Sequence, residues 1–162
     1  MITVDLAQKT VRELNQSLHT KNIIETHREW RVENTKGGHN IAVGLDADIM
    51  VDIHGHAGYF CARMNNTAHV MVHGNVAQGV AENMMSGVVR IKGDASQAAG
   101  ATAQGGLLVI EGNAGARCGI SMKGVDIVVK GDVGHMSCFM GQSGSLVVCG
   151  DAGEALGDSL YE

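Results

Sequence analysis

The sequence predicts an all-β fold, a β-solenoid in which each coil of 19 residues contributes one strand to a parallel sheet. Three observations support this prediction: an internal repeat, aliphatic residues at alternate positions within each repeat, and abundant glycine without proline. The glycines that define the repeat are spaced by 19 residues, at Gly55, Gly74, Gly93, Gly112, Gly131 and Gly150. The chain holds 23 glycines but only one tryptophan, two tyrosines and two phenylalanines, which favours a thin repetitive structure over a conventional core.

Each repeat contains a predicted strand directly before its glycine. The positions four and two residues before the glycine are aliphatic in every repeat, beginning with Val51 and Ile53. Side chains at i and i+2 share one face of a strand, so both are expected to enter the core. The residue after the glycine is Asn or Asp in all repeats but the first, which has His56. We therefore expect a turn, with positive φ at the glycine and hydrogen bonds from Asn or Asp to the backbone.

The rest of each coil is rich in glycine and alanine, as in residues 93–106 and 112–124. Glycine costs about 1 kcal/mol per helical position relative to alanine, which argues against a helix there. We expect small side chains turned inward at tight corners. Hexapeptide and calcium-binding nonapeptide solenoids are excluded, because their characteristic spacings are absent.

The first forty residues break the period and contain their own signals of secondary structure. Thr3–Leu6 is predicted to be a short strand. The Thr10-x-x-Glu13 capping box predicts a helix over Val11–His19. Trp30–Asn34 and Ile41–Val43 are further strand candidates.

These features divide the chain into a small N-terminal α/β cap over residues 1–40 and a β-helix domain over residues 41–162. A terminal segment that departs from the repeat is expected, because the first coil would otherwise expose an unpaired strand edge. The sequence ends at Glu162, where the next strand would begin. We expect either that a partner covers this end or that the chain is a truncated version of a longer one.

Composition excludes several functional classes. A net charge of −5, from 12 basic and 17 acidic residues, argues against nucleic acid as a partner. The sequence lacks both a membrane-spanning apolar run and the apolar stretch of a signal peptide, so we predict a cytoplasmic protein without a membrane partner. The four cysteines, Cys61, Cys118, Cys138 and Cys149, lack C-x-x-C spacing and are predicted to be buried free thiols.

Histidine is the first candidate for functional chemistry. His54 and His73 each lie one residue before a repeat glycine, so they are expected to stack on adjacent coils. His56 and His69 are close to them in sequence. Zinc needs three or four convergent ligands. The same repeat position continues as Lys92, Glu111, Lys130 and Cys149, which indicates a solvated ladder, and we predict no metal site.

The remaining candidates also have simple structural explanations. Cys118 and Cys138 occupy nearly equivalent places on adjacent coils, with His135 nearby, but a small side chain at a tight corner explains both cysteines. Turn formation explains Asp94, Asp132 and Asp151, and no phosphate-binding motif is present. Arg63, Arg90 and Arg117 lie outside the core positions. We therefore predict no catalytic, cofactor-binding or metal-binding residue in this chain.

The repeat resembles that of a known family. Gly112-x-x-Gly115-x-x-x-Gly119 and Gly150-x-x-Gly153-x-x-x-Gly157 resemble the G-x-x-G-x-x-x-G repeats of the glutamate synthase C-terminal β-helix. Two further repeats keep the pattern in part, with Ser96 and Cys138 as substitutions, and the first two repeats keep less of it. The resemblance covers about residues 40 to 162 and is greatest to free-standing members of the family, the small subunits of N-methylglutamate synthase.

The resemblance implies a right-handed, single-stranded β-helix and a role in a hetero-oligomeric complex. Partners would be a glutamine-amidotransferase-like subunit and a synthase subunit that carries FMN and an iron–sulfur cluster. Together they would form N-methylglutamate from glutamate and methylamine. This chain begins Met1-Ile2 without an N-terminal cysteine nucleophile, and it lacks a cysteine cluster for iron–sulfur binding. No cofactor is therefore expected in this chain, and its predicted role is structural.

An alternative is the β-helix subunit of a formylmethanofuran dehydrogenase or of a formyltransferase/hydrolase complex, which has the same fold. A lyase or sugar-binding β-helix would need exposed aromatic platforms, which the five aromatic residues do not provide. The sequence leaves open which face binds which partner, the stoichiometry, and the amino donor and product of the whole complex.

Overall fold

The computed structural model describes residues 1–161 and shows a β-solenoid with an eight-stranded, all-parallel sheet in sequence order. Glu162, the last residue of the predicted β-helix domain, lies outside the described residues. The strands are β1 (Ile2–Asp5), β2 (Glu29–Glu33), β3 (Met50–Ile53), β4 (His69–Val72), β5 (Val88–Ile91), β6 (Leu107–Ile110), β7 (Lys123–Val129) and β8 (Ser143–Val148). From β3 onward, each residue is paired with the one 19 positions later, apart from a register shift near Lys123 at the start of β7.

The N-terminal segment contains two helices, α1 (Val11–Leu18) and α2 (Lys21–Thr26). The predicted capping box is present, since the Thr10 side chain accepts a hydrogen bond from the Glu13 backbone and the Glu13 carboxylate accepts one from the Thr10 backbone. Helix α2 was not predicted from the sequence, and it has no side-chain cap at its N-terminus and no buried residue.

The first two predicted strands form within one residue of their expected bounds, as β1 and β2. The third, Ile41–Val43, was wrong. Ile41 is buried as a strand residue would be, but the segment is a turn and Ala42 has a φ of +59°. Because β1 and β2 pair in the same sheet as the repeat strands, the parallel sheet continues across residue 40.

The aliphatic positions of the repeat form the core, as predicted. Their side chains are buried from Val51 through Val129, and most are fully inaccessible to solvent. In the last coil, Leu146 and Val148 are only partly buried. The glycine- and alanine-rich segments provide the opposite wall with small buried side chains, including Cys61, Val80, Ala99, Cys118 and Ser137.

The repeat glycines are required for a different reason from the one predicted. Only Gly55 has positive φ, +130°, among the six. At Gly131, an added Cβ would lie 2.8 Å from the Gly112 carbonyl oxygen and would also collide with the Asn113 side chain. The later repeat glycines therefore allow close approach of successive coils rather than a left-handed backbone.

The residues after these glycines form a hydrogen-bonded ladder between coils. The Asn75 side-chain oxygen accepts from the Asp94 backbone N–H at 2.8 Å, and the Asp94 carboxylate accepts from the Asn113 N–H at 2.8 Å. The pattern continues to Asp151, while His56 accepts from the Asn75 N–H in the first repeat. The Asn and Asp side chains thus bond to the backbone as predicted, but their partners lie one coil further along.

In the turn segments opposite the sheet, residues with positive φ alternate with residues in which φ is not positive. Ala98, Gly100 and Thr102 all have φ between +55° and +65°. Ala98 and Thr102 donate to the next coil, at Ala116 and Ile120, whereas Gly100 donates to the previous coil at Val80. A left-handed non-glycine residue costs about 1–2 kcal/mol. Hydrogen bonds to both neighbouring coils offset this cost.

Candidate functional site

The outer face of the sheet presents an ordered array of polar, charged and apolar side chains. We define the outer face as the side chains of β2–β8 that alternate with the core positions, together with the residue that follows each repeat strand. It has three regions: a histidine–aspartate cluster on β3 and β4, an ionic network on β5–β7, and an apolar strip on β6–β8. The parallel register places residues 19 apart side by side in each region.

The ionic network is centred on Glu111. Its carboxylate accepts a 2.6 Å hydrogen bond from Arg90 and lies 2.9 Å from the Lys92 ammonium and 3.8 Å from that of Lys130. Hydrogen bonds from Lys92 and then Arg90 are the largest causes that lower the pKa of Glu111 to about 2. These charged groups therefore pair across three coils.

We expect Glu111→Gln to remove part of the acid sensitivity of the fold. The folded-state pKa of Glu111 lies below the ordinary value of 4.5, so its ionised form stabilises the fold above that pH. This contribution is lost as the pH falls from 4.5 towards 2. Urea unfolding at several pH values should show the wild-type advantage over E111Q shrinking across this window. A constant difference would contradict the assignment, and Glu25→Gln on exposed α2 serves as the control.

The histidine–aspartate cluster consists of Asp52, His54 and His73. The two imidazole rings stack as the repeat predicts, with centroids 4.4 Å apart and planes 14° from parallel. His73 Nε2 lies 3.2 Å from the Asp52 carboxylate. One ligand atom from each residue lies within 4.8 Å of the others. The histidines were candidates from the sequence, whereas Asp52 was not predicted to be their neighbour.

The apolar strip comprises Val109, Val128 and Val147, which are adjacent in register on β6, β7 and β8. Val109 and Val128 are half-buried, and Val147 is 50% exposed. β8 is the last strand of the sheet in residues 1–161. The strip therefore gives this part of the outer face an apolar character.

Cys61 and Cys118 are buried and Cys138 is half-buried, whereas Cys149 is exposed, so the prediction of a buried thiol was wrong for Cys149. Burial raises the pKa of both Cys61 and Cys118 to about 12, and it also raises the pKa of Cys138. Cys138 Sγ lies 3.5 Å from the Met122 sulfur. An activated nucleophile needs a lowered thiol pKa, so these three environments have the opposite effect.

The other candidates from the sequence are distributed around the coils. Asp94, Asp132 and Asp151 belong to the ladder between coils, where Asp94 and Asp132 each accept a backbone hydrogen bond. Arg63 lies 3.2 Å from Glu82 and has its guanidinium 5.3 Å from the centre of the Phe60 ring. None of these residues belongs to the histidine–aspartate cluster. Asp94 and Asp132 bond to the backbone of the next coil, and Arg63 pairs with Glu82.

Comparison with known proteins yields one informative relative. Protein GlxC of Rhizobium meliloti (strain 1021) is 60% identical to this chain over 72 residues. The match covers 44% of this chain and 32% of that protein, so it spans about a third of the relative's length. No protein-family model and no solved structure matches the chain. The similarity and the β-solenoid are consistent with the family resemblance noted in the repeat.

The structure also bears on membrane insertion. Within residues 1–161, neither helix has the length and apolar character needed to cross a bilayer.

Proposed function

We propose that this chain is a non-catalytic assembly subunit of a glutamate-synthase-like complex of the N-methylglutamate synthase type. It docks and orients a glutamine-amidotransferase-like subunit and a synthase-like subunit. The synthase-like partner supplies FMN and an iron–sulfur cluster, and the assembly acts in methylamine and glutamate metabolism.

The observation that carries the proposal is the G-x-x-G-x-x-x-G repeat, set on a solenoid with the 19-residue period that the repeat predicts. The identity shared with Protein GlxC supports a relationship to a bacterial protein over 72 residues. Within this chain, Glu111 pairs with three cations across neighbouring coils, and the Asn and Asp ladder bonds to the backbone. These polar groups stabilise a rigid body, as a scaffold requires.

The shape of the fold suits such a role. A parallel solenoid presents flat, regular faces because each coil repeats the side-chain positions of the previous one. The apolar strip around Val147 offers a surface on which a partner subunit gains apolar burial. We expect each catalytic subunit to contact the solenoid, so that the assembly does not depend only on direct contacts between the catalytic subunits.

Removal of this chain from its native cell tests the proposal. We expect the amidotransferase-like and flavin-containing subunits to elute together by size-exclusion chromatography in wild-type extracts and separately in the deletion strain. Expression of the wild-type chain should restore co-elution. A chain carrying the core substitution Ile110→Asp provides the matched control and should not restore it. Unchanged co-elution in the deletion strain would contradict the assembly role.

A further inference from the structure

We propose that Asp52, His54 and His73 form a binding site for one divalent first-row transition-metal ion, best represented by Zn²⁺. The proposal is independent of the assembly role, because it rests only on side chains of the outer face. Two imidazole nitrogens and a carboxylate oxygen are a common ligand set for such ions, with solvent completing the coordination.

The backbone fixes the two histidines in adjacent positions. His54 donates its backbone N–H to Val32 and His73 donates to Ile53, both at 2.8 Å. These bonds extend the parallel register beyond the strand ends and place one imidazole above the other, 4.4 Å apart. Asp52 lies two residues before His54 on the same face of β3. The three side chains therefore converge from elements that the solenoid holds in place.

The distances suit a metal after small side-chain movements. Zinc lies about 2.0–2.2 Å from nitrogen and oxygen ligands, so ligand atoms in a tetrahedral site are roughly 3.3 Å apart. The Asp52 carboxylate and His73 Nε2 already lie 3.2 Å apart. All three ligand atoms fall within 4.8 Å of one another. His73 and Asp52 have side chains 36% and 38% exposed, so rotation of the side chains closes the remaining gaps.

The arginine and lysine side chains beside the cluster form ion pairs with carboxylates other than Asp52. Arg31, beside Asp52 in the register, is held by Glu33 at 2.7 Å. On the opposite side, Arg90 and Lys92 are both held by Glu111. Asp52 differs from Glu33 and Glu111 in that its partner is an imidazole. Glu33 balances the charge of Arg31, whereas Glu111 carries one negative charge against two cations, so a residual positive charge flanks the site on the β5 side.

Zinc titration of the tag-free full chain by isothermal calorimetry tests the site. The Cys149→Ser background removes an exposed thiol that would compete for zinc. We expect one Zn²⁺ per chain, at least about tenfold weaker binding in His54→Ala and in His73→Ala, and weaker binding in the nearly isosteric Asp52→Asn. His69→Ala, an exposed histidine on β4 outside the cluster, is the matched control and should bind as the background does.

A second measurement separates a specific site from loss of folding. Zinc should raise the unfolding temperature of the background protein and of H69A, because it binds only the folded arrangement, and should have much less effect on H73A. Circular dichroism should show the same fold in all variants, since the substituted side chains lie on the outer face. Absence of stoichiometric binding, or equal loss of affinity in H69A and H73A, would overturn the proposal.

Discussion

Ile110→Asp is expected to destabilise the chain by at least about 4 kcal/mol, a large part of the roughly 5–15 kcal/mol that stabilises a typical domain. Ile110 is fully buried and lies between Ile91 and Val129 in the register. The substitution removes a buried aliphatic side chain and places a carboxylate among aliphatic neighbours on both adjacent coils. Urea unfolding followed by circular dichroism measures the loss.

Val109→Asp is the matched control for this substitution. Val109 is the preceding residue of β6, but its half-buried side chain faces outward beside Arg90. We expect it to cost about 1 kcal/mol, the range of strand propensity on a solvated face. Equal destabilisation by V109D and I110D would show that the inward face has been assigned incorrectly.

Gly131→Ala is expected to cost about 3 kcal/mol although it adds a single methyl group. The new Cβ would lie 2.8 Å from the Gly112 carbonyl oxygen, a backbone atom that is itself bonded between coils. It would also displace the Asn113 side chain, which accepts from the Asp132 N–H. Relief of the contact requires separation of two coils, so the effect should be large in thermal and urea unfolding.

Gly37→Ala distinguishes this mechanism from ordinary backbone strain. Gly37 has a φ of +68°, and an added Cβ there meets nothing within 4 Å. Its cost should be that of a left-handed alanine, about 1 kcal/mol. If G37A proved as damaging as G131A, close approach of the coils would not be the reason for the repeat glycines.

Much of the fold was predictable because the repeat is periodic. The spacing of Gly55 and its equivalents determines the coil length, and the aliphatic residues before them identify the inward face. The conformation at the repeat glycines was not predictable in the same way. Positive φ and close approach both select glycine, and only the neighbouring coil, with its carbonyl oxygen and Asn or Asp side chain, distinguishes the two causes.

The N-terminal segment shows where local signals are insufficient. The capping box at Thr10 and Glu13 gave a reliable start for α1. α2 begins after Thr20, whose side chain makes no cap hydrogen bond, and Ile23 stands where a capping box would have Glu or Gln, so the signal that marks α1 is missing. Ile41 is buried, as an inward strand residue would be, yet Ala42 adopts a left-handed conformation. Burial alone does not distinguish a strand from a turn in a solenoid wall.

The histidine–aspartate cluster was predictable only in part. His54 and His73 share one repeat position, so their stacking follows from the period. The position of Asp52 is occupied by Met71, Arg90 and Val109 in later coils. Because the residue type is not repeated, the repeat does not predict a functional role for Asp52. Its contact with His73 depends on a diagonal approach between neighbouring strands, which appears only in three dimensions.

Affinity purification of this chain from its native cell, with an absorption spectrum and mass spectrometry of the eluate, tests the assembly role most directly. We predict a coloured complex that contains a flavin and iron–sulfur synthase-like subunit together with a glutamine-amidotransferase-like subunit. Recovery with a metal-dependent formyl hydrolase and no flavin would contradict this role and favour a formyl-transferring complex. A colourless chain without partners would also contradict it.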